Sequence, residues 1–328
     1  MENRFFDWLL IQRERVKNFF QKHYKIMVPI FKLLGGFLVF VTLENLYGYS
    51  RTWSSVWFIA IMIGLFVIVP VRYGYLLSSI FILFNLTNVS MDVAGLYLAF
   101  ILIAYLLILR LIPRYSWIMV AVPVLFSYNL PCLIPILIGM FCGLSSVIIM
   151  VLGIVTYFFS FYVKEVVILL NSASQKETVV AFRKIIQLMS RDGELILTIF
   201  ILCLVFIITY FIYKQARDYA WYLAVVFGGI TYLILKLMQT LLLESDISIV
   251  GVVTYTLISI VVSIVIQFFY CVIDYSRSEK VQFEDDEYYY YVKIVPKISV
   301  QEKNKNVKKI STTSRRRKKD KEEKMSNK

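Results

Sequence analysis

The chain has 328 residues, 59% of them hydrophobic, with a formal net charge of +13 and a mean hydropathy of +0.71. Only 17% are charged, where a soluble domain carries about 25%, and the charges gather at both ends and in one central loop. That balance excludes an ordinary water-soluble globular enzyme and makes lipid the main solvent of the chain.

Several apolar runs reach the ~20 helical residues that cross a ~30 Å hydrocarbon layer. They are continuous, without period-2 alternation, so the spanning structure that satisfies every backbone N–H and C=O is the helix rather than a barrel strand. The fold class expected is therefore all-α. It is a polytopic helical membrane protein of about eight transmembrane helices, with one broken or re-entrant segment, a short β-hairpin and a disordered basic tail at the C-terminus.

Residues 1–25 mix Arg4, Arg13, Arg15, Lys17, Lys22 and Lys25 with apolar residues near helical spacing. This predicts a basic amphipathic helix at the membrane surface, with Arg13, Arg15 and Lys17 on anionic lipid headgroups; the alternative is a cytoplasmic helix packed on the rest of the protein. The charges leave no clean apolar core before a small-residue cleavage site, so no cleavable signal peptide is expected. A first bundle is predicted over 27–163, with spans near 27–47, 54–71, 74–90, 91–112 and 145–163. Lys32, near the start of the first span, is expected to snorkel to the interface.

Within that bundle, 116–142 is broken by Pro123, Pro131 and Pro135 and by "SYN" at 127–129. Each half is about a dozen residues, roughly 18–20 Å of helix, too short to span alone. It reads either as one kinked span or as a re-entrant hairpin, which requires cover by protein or a water-filled cavity. The hairpin gives eight spans and puts both termini on one side. A single kinked span gives nine.

Residues 164–193 form an extramembrane stretch. "SQKE" at 174–177 fits a capping box, and Val179, Phe182, Ile186 and Met189 keep helical period. An amphipathic helix over 175–191 follows, with Gly193 expected to end it in a left-handed conformation. A second bundle, 194–274, holds spans near 194–213, 219–243 and 247–273.

The local Lys/Arg counts tie between the two topologies under the positive-inside rule. The tail, 301–328, carries twelve Lys/Arg against four acids, with "RRRKK" at 315–319. It favours both termini in the cytoplasm, with Arg315, Arg316 and Arg317 at lipid headgroups. No specific nucleic-acid partner is expected.

No phosphate-binding loop, nucleophile elbow or zinc-ligand motif is present, and the one histidine, His23, cannot build a catalytic set with a second. No enzyme activity, cofactor or metal is expected. Glu44, Asp92, Glu165, Glu194 and Asp274 sit at predicted span ends and read as interfacial charges. Cys132, Cys142, Cys203 and Cys271 read as small apolar residues.

Lys236 differs. It lies well inside a span, with Gln239 three residues on, where insertion of a charge costs at least about 2.5–3.5 kcal/mol. Lys236, Gln239, Asn129 and Tyr128 are therefore the candidate lining of a transport path. The competing readings are a buried structural pair or snorkelling with tilt for Lys236, and a solvent-exposed turn for Tyr128 and Asn129. Gly228 and Gly229, two turns earlier, would permit close helix approach.

Residues 275–300 contain "FEDDEYYYYVK". Glu284, Asp285, Asp286 and Glu287 run into Tyr288, Tyr289, Tyr290 and Tyr291. "KVQF" before the acids and "YYYYVKIV" after them predict a hairpin that docks a partner by strand addition or lies on the membrane surface, since a lone two-stranded hairpin is marginal in water; the alternatives are a weak divalent-ion site on the four carboxylates and an acidic spacer keeping the tyrosines near the headgroups.

The stretch 267–300, together with "DYAWYLAVVFGG" at 218–229 and "NLPCLIPILIGMFCG" at 129–143, resembles an uncharacterised multi-pass membrane family of anaerobic Gram-positive, clostridial-type bacteria. The resemblance implies a bacterial plasma-membrane location and a retained C-terminal motif. It carries over no catalytic residues. The function expected is a non-enzymatic envelope component that anchors a cytoplasmic or membrane partner through 279–300. The alternative is a permease or channel subunit with its path along 116–142 and Lys236.

Overall fold

The computed structural model describes residues 2–49, 53–172, 178–215, 219–244, 248–270 and two strands. Twelve α-helices follow in order among them: α1 (Glu2–Lys22), α2 (Tyr24–Tyr47), α3 (Val56–Ile68), α4 (Gly74–Thr87), α5 (Met91–Leu111), α6 (Ile118–Ser127), α7 (Leu133–Phe141), α8 (Ser146–Ser172), α9 (Thr178–Arg191), α10 (Gly193–Lys214), α11 (Ala220–Leu242) and α12 (Ile249–Tyr270). Strands β1 (Glu279–Glu284) and β2 (Tyr289–Ile294) pair antiparallel, Glu279 opposite Ile294 and Glu284 opposite Tyr289. Asp285, Asp286, Glu287 and Tyr288, the 174–177 capping box and Arg315–Arg317 lie outside the described residues.

Five helices are long and apolar enough to cross a membrane: Tyr24–Tyr47, Ser146–Ile168, Gly193–Lys214, Ala220–Leu242 and Ile249–Tyr270. Three shorter apolar stretches, Val56–Ile68, Val71–Thr87 and Met91–Leu106, pack among them. The outer faces are apolar at helical spacing. Ile196, Phe200, Ile207 and Phe211 do this on α10, and Leu257, Ile258, Val261 and Val265 on α12. An apolar belt of this extent needs lipid rather than water against it. The chain is an all-helical multi-pass membrane protein through this region.

The broken segment folds as a pair of short helices whose ends meet. The Tyr115 hydroxyl accepts from Gly143 N at 3.2 Å, so the residues just before α6 and just after α7 meet. α6 runs alongside α8 in the same direction: a Cβ at Gly153 would lie 2.8 Å from Val122 Cβ, and one turn on the Phe126 ring meets Tyr157 at 4.7 Å. α7 then returns. A Cβ at Gly139 would lie 3.2 Å from the Phe206 carbonyl of α10, and the Phe141 ring reaches Tyr270 of α12 at 4.5 Å.

The turn between them is a helix C-terminal motif. Leu130 N donates to Leu125 O, Asn129 N donates to Phe126 O, and Asn129 sits at φ 58°. This is the Schellman arrangement with Asn in the left-handed position usually held by Gly. Pro135 falls in the first turn of α7, where its missing N–H has no intrahelical partner to lose. Both short helices are buried on most sides, α6 against α2, α4 and α8, and α7 against α10, α11 and α12. The protein thus covers backbone that lipid would not tolerate.

The feet of the hairpin define a basal end of the bundle. Ser116 Oγ donates to Arg72 O there at 2.7 Å, and Lys32 Nζ donates to Val67 O and Val69 O. Lys32 therefore does more than snorkel: it caps the C-terminal carbonyls of α3.

Arg13 departs from its expected place on lipid headgroups. It is 8% exposed, donates to Phe268 O at 3.4 Å and lies 5.7 Å from the Phe268 ring centroid. The apolar residues Trp8, Val16 and Phe19 of α1 face outward, and Arg13 turns inward onto the Phe268 carbonyl of α12. Arg15 and Lys17 are exposed.

Gly193 also departs from expectation. It does not end α9 but begins α10, and no glycine has positive φ among the described residues. Asp192 decides this by capping α10: its Oδ1 accepts from Glu194 N at 2.8 Å and from Leu195 N at 3.3 Å.

Candidate functional site: a cavity above the hairpin tip

The tip of the α6–α7 hairpin stops part-way through the bundle, and the space above it is open. A cavity of about 620 Å³ lies there. Asn129, Pro131 and Cys132 of the tip contribute to its lining, α8 supplies Tyr157, Phe158 and Tyr162, α11 supplies Tyr232 and Lys236, and α12 supplies Val252, Tyr255 and Thr256. Three carboxylates, Glu165, Asp192 and Glu194, join the lining from the end of α8 and the start of α10. These chain positions are at the distal end of the bundle, opposite the hairpin feet.

Local structure explains how the acids converge. Asp192 must sit at the α10 N-terminus to cap it, and its second oxygen, Oδ2, accepts from the Tyr162 hydroxyl at 2.6 Å. One carboxylate therefore closes the helix start and ties α8 to α10. Glu194 follows in the first turn, where the positive end of the helix dipole favours it. Glu165 is two turns before the end of α8 and is exposed.

Lys236 is held from its own helix. Its Nζ donates to Gln239 Oε1 at 2.9 Å, and Gln239 Nε2 donates to Glu194 O at 3.1 Å and to Thr198 Oγ1 at 3.0 Å. Gln239 is 3% exposed, so these bonds are made inside the bundle. The i, i+3 pair thus locks α11 to α10 and aims the ammonium at the cavity. A recess of about 20 Å³, the room of one water, lies between Lys236, Gln239, Thr198 and Tyr232.

Gly228 and Gly229 allow this packing. A Cβ at Gly228 would lie 2.5 Å from Thr209 Oγ1, and Gly229 lies against Ile260 of α12. The close approach expected of the pair is what is seen.

Of the four path residues expected from the sequence, Lys236 and Asn129 line the cavity. Gln239 stands behind Lys236 as its hydrogen-bond partner. Tyr128 does not line it and is 49% exposed. The mouth carboxylates Glu165 and Glu194 were legible only as interfacial charges, and Asp192 carried no sequence signal beyond its capping residue type. The seven aromatic residues of the lining come from α6, α8, α11 and α12, and no local pattern announces their convergence.

In charge, the cavity has a negative rim and one positive group on its wall. In shape it is largely aromatic. The lining can accept an ammonium group by charge and by ring faces, and a carboxylate at Lys236. No protein-family model, curated protein or solved structure matches the chain.

Proposed function

We propose that the protein is a permease-type membrane component that admits a small amphipathic solute bearing an ammonium group into the cavity above the hairpin. The observation that carries this reading is the joining, in one 620 Å³ space, of three rim carboxylates with a wall lysine held by Gln239, which is itself bonded to the Glu194 carbonyl. A structural lysine buried for packing would not open onto such a space, and a snorkelling one would reach the lipid interface instead. The helices Val56–Ile68, Val71–Thr87 and Met91–Leu106 complete eight crossings in this reading, the extended residues Ser55 and Val69 adding to the length of the first. The membrane is the plasma membrane of a bacterium, and both termini lie in the cytoplasm, so the cavity opens outward. The basic α1 surface and the composition of the tail support that orientation.

Three probes that share a phenyl ring test the charge logic: phenylalanine, phenethylamine and 3-phenylpropanoate. Thermal unfolding of the purified protein in detergent is measured with each. A ligand at a hundred times its Kd adds about 2.7 kcal/mol. Phenylalanine and phenethylamine should raise Tm, and 3-phenylpropanoate should not. Lys236→Met should lower the phenylalanine effect to that of phenethylamine. Stabilisation by the anion alone, or by none of the three, would refute the proposal.

A second reading, partner anchoring through the C-terminal segment, has one observation in its favour. Among the described residues, β1 and β2 form a sheet of two strands only, which is marginal in water without a further strand. Glu284 and Tyr289–Tyr291 lie on these strands. Deleting 279–328 should abolish tail-dependent crosslinks in membranes while leaving the ligand-induced Tm shifts intact. Crosslinks that persist after the deletion would remove this reading.

A further inference from the structure

α12 carries a polar stripe on its buried face. Thr256, Ser259, Ser263 and Gln267 follow at intervals of three, four and four residues, and none is more than 1% exposed. The opposite face of the same helix is Leu257, Ile258, Val261 and Val265. The polarity is inverted in its usual sense for a helix at the edge of a bundle: apolar outside, hydroxyls and an amide within.

The stripe has two ends of different kinds. At its distal end Thr256 lines the cavity. At its basal end Gln267 precedes Phe268, whose carbonyl accepts from Arg13. The two are eleven residues apart in sequence, ~16 Å along the helix axis.

The three hydroxyls can be read as self-sufficient, since each donates to the carbonyl four residues back: Thr256 to Val252, Ser259 to Tyr255 and Ser263 to Ser259. Gln267 cannot be read that way. Its Nε2 and its Oε1 are both buried without a hydrogen-bond partner. An amide left so inside a membrane protein requires an explanation, and the commonest one is ordered water. The hydroxyl oxygens above it keep free lone pairs that water can use.

We infer that water runs in file along this stripe, from the cavity floor at Thr256 to the basal end at Gln267. The cavity is then the wide half of a path and the α12 seam its narrow half. α7 and α11 pack against α12 and form the other side of the seam. This inference rests on reading the cavity as a solute site open at the distal end.

Silver ion tests it, because it is small enough to follow water and reacts with thiolates, which form only in water. In the full chain with Cys132, Cys142, Cys203 and Cys271 replaced by Ser, single cysteines are placed at Thr256, Ser259, Ser263 and Gln267. Leu257→Cys and Val261→Cys report lipid, and Ser248→Cys and Gly251→Cys report the cavity. The protein in liposomes is exposed to silver, and surviving thiols are counted by maleimide after denaturation.

The four stripe cysteines should be blocked within about tenfold of the Ser248→Cys rate, and the two lipid-facing ones at least about a hundredfold more slowly. Stripe cysteines as slow as Leu257→Cys beside fast cavity cysteines would overturn the water file and leave the cavity reading standing. Slow reaction at the cavity positions as well would sink both. Blocking confined to Gln267→Cys would mark a local basal pocket and overturn the continuous file.

The Ser→Cys changes are nearly isosteric, so Ser259 and Ser263 carry the test if Gln267→Cys does not fold. Melting of Gln267→Leu gives a second readout. A dry seam predicts a higher Tm on removal of the orphan amide, and a hydrated one predicts no gain.

Discussion

Replacing Gln239 by Leu should destabilise the protein by about 2–3 kcal/mol. The side chain makes two interhelical donations, to Glu194 O at 3.1 Å and to Thr198 Oγ1 at 3.0 Å, and accepts from the Lys236 ammonium at 2.9 Å. Interhelical hydrogen bonds in membrane proteins average about 0.6 kcal/mol each, so the first two contribute about 1.2. A bond to a charged group contributes about 1.5–3 kcal/mol. Lys236 keeps access to the cavity, so water can replace Gln239 there and the charged contribution falls to the low end. Leu fits the apolar surroundings and adds no strain of its own. The assay is equilibrium unfolding in mixed micelles with rising SDS fraction, followed by tryptophan fluorescence. Thr198→Val removes one donation and should cost about 0.6 kcal/mol alone and near zero in the Gln239→Leu background. A Gln239→Leu protein within about 0.5 kcal/mol of wild type, or a strictly additive double mutant, would refute the view that this network joins α10 to α11.

Two Gly→Ala changes should have opposite signs. At Gly153 the new Cβ meets Val122 at 2.8 Å and should cost about 1–3 kcal/mol through overpacking. At Gly64, where a Cβ meets nothing within 4 Å, it should gain about 0.5–1 kcal/mol; melting temperatures in one detergent compare the pair. Lys32→Met should cost about 1–2 kcal/mol by leaving the Val67 and Val69 carbonyls without their donor, with Lys32→Arg recovering most of the loss in the same SDS titration. Asn129→Gly should be nearly neutral and Asn129→Val should cost about 1–2 kcal/mol, because φ 58° is left-handed backbone. Equal melting of the two Asn129 variants would contradict the turn geometry.

The sequence carried the long spans plainly, because a run of apolar residues has one structural solution in lipid. It also carried the break at 116–142, since prolines and "SYN" leave two halves that cannot cross. It left hairpin and kinked span undecided. The Tyr115–Gly143 contact brings the two ends of the segment together, and it joins residues too far apart in sequence for any local pattern to connect.

Lys236 and Gln239 were legible as a pair through their i, i+3 spacing. Their further partners on α10 were not. Gly193 was misread because glycine after an amphipathic run resembles a helix stop. The stronger local signal was Asp192, a capping residue for the helix that follows. For Arg13 the basic charges of an amphipathic helix suggest headgroups, whereas with Trp8 and Phe19 outward this guanidinium meets the Phe268 carbonyl instead. The α12 stripe was present in the sequence as Thr, Ser, Ser and Gln at helical spacing. It gives little signal, because single hydroxyls in an apolar run are satisfied by their own helix.

In the eight-crossing topology proposed above, the contact between Tyr115 and Gly143 also sets the parity of the crossings. A segment that enters and leaves through the same leaflet adds nothing to the count of crossings, so every helix after it keeps the compartment assignment it would have had without it. Were the same residues threaded straight through during synthesis, α8 to α12 would be inserted upside down, with the acidic rim and the basic tail exchanging compartments. A short turn that never reaches the far side thus holds the handedness of the half of the protein made after it.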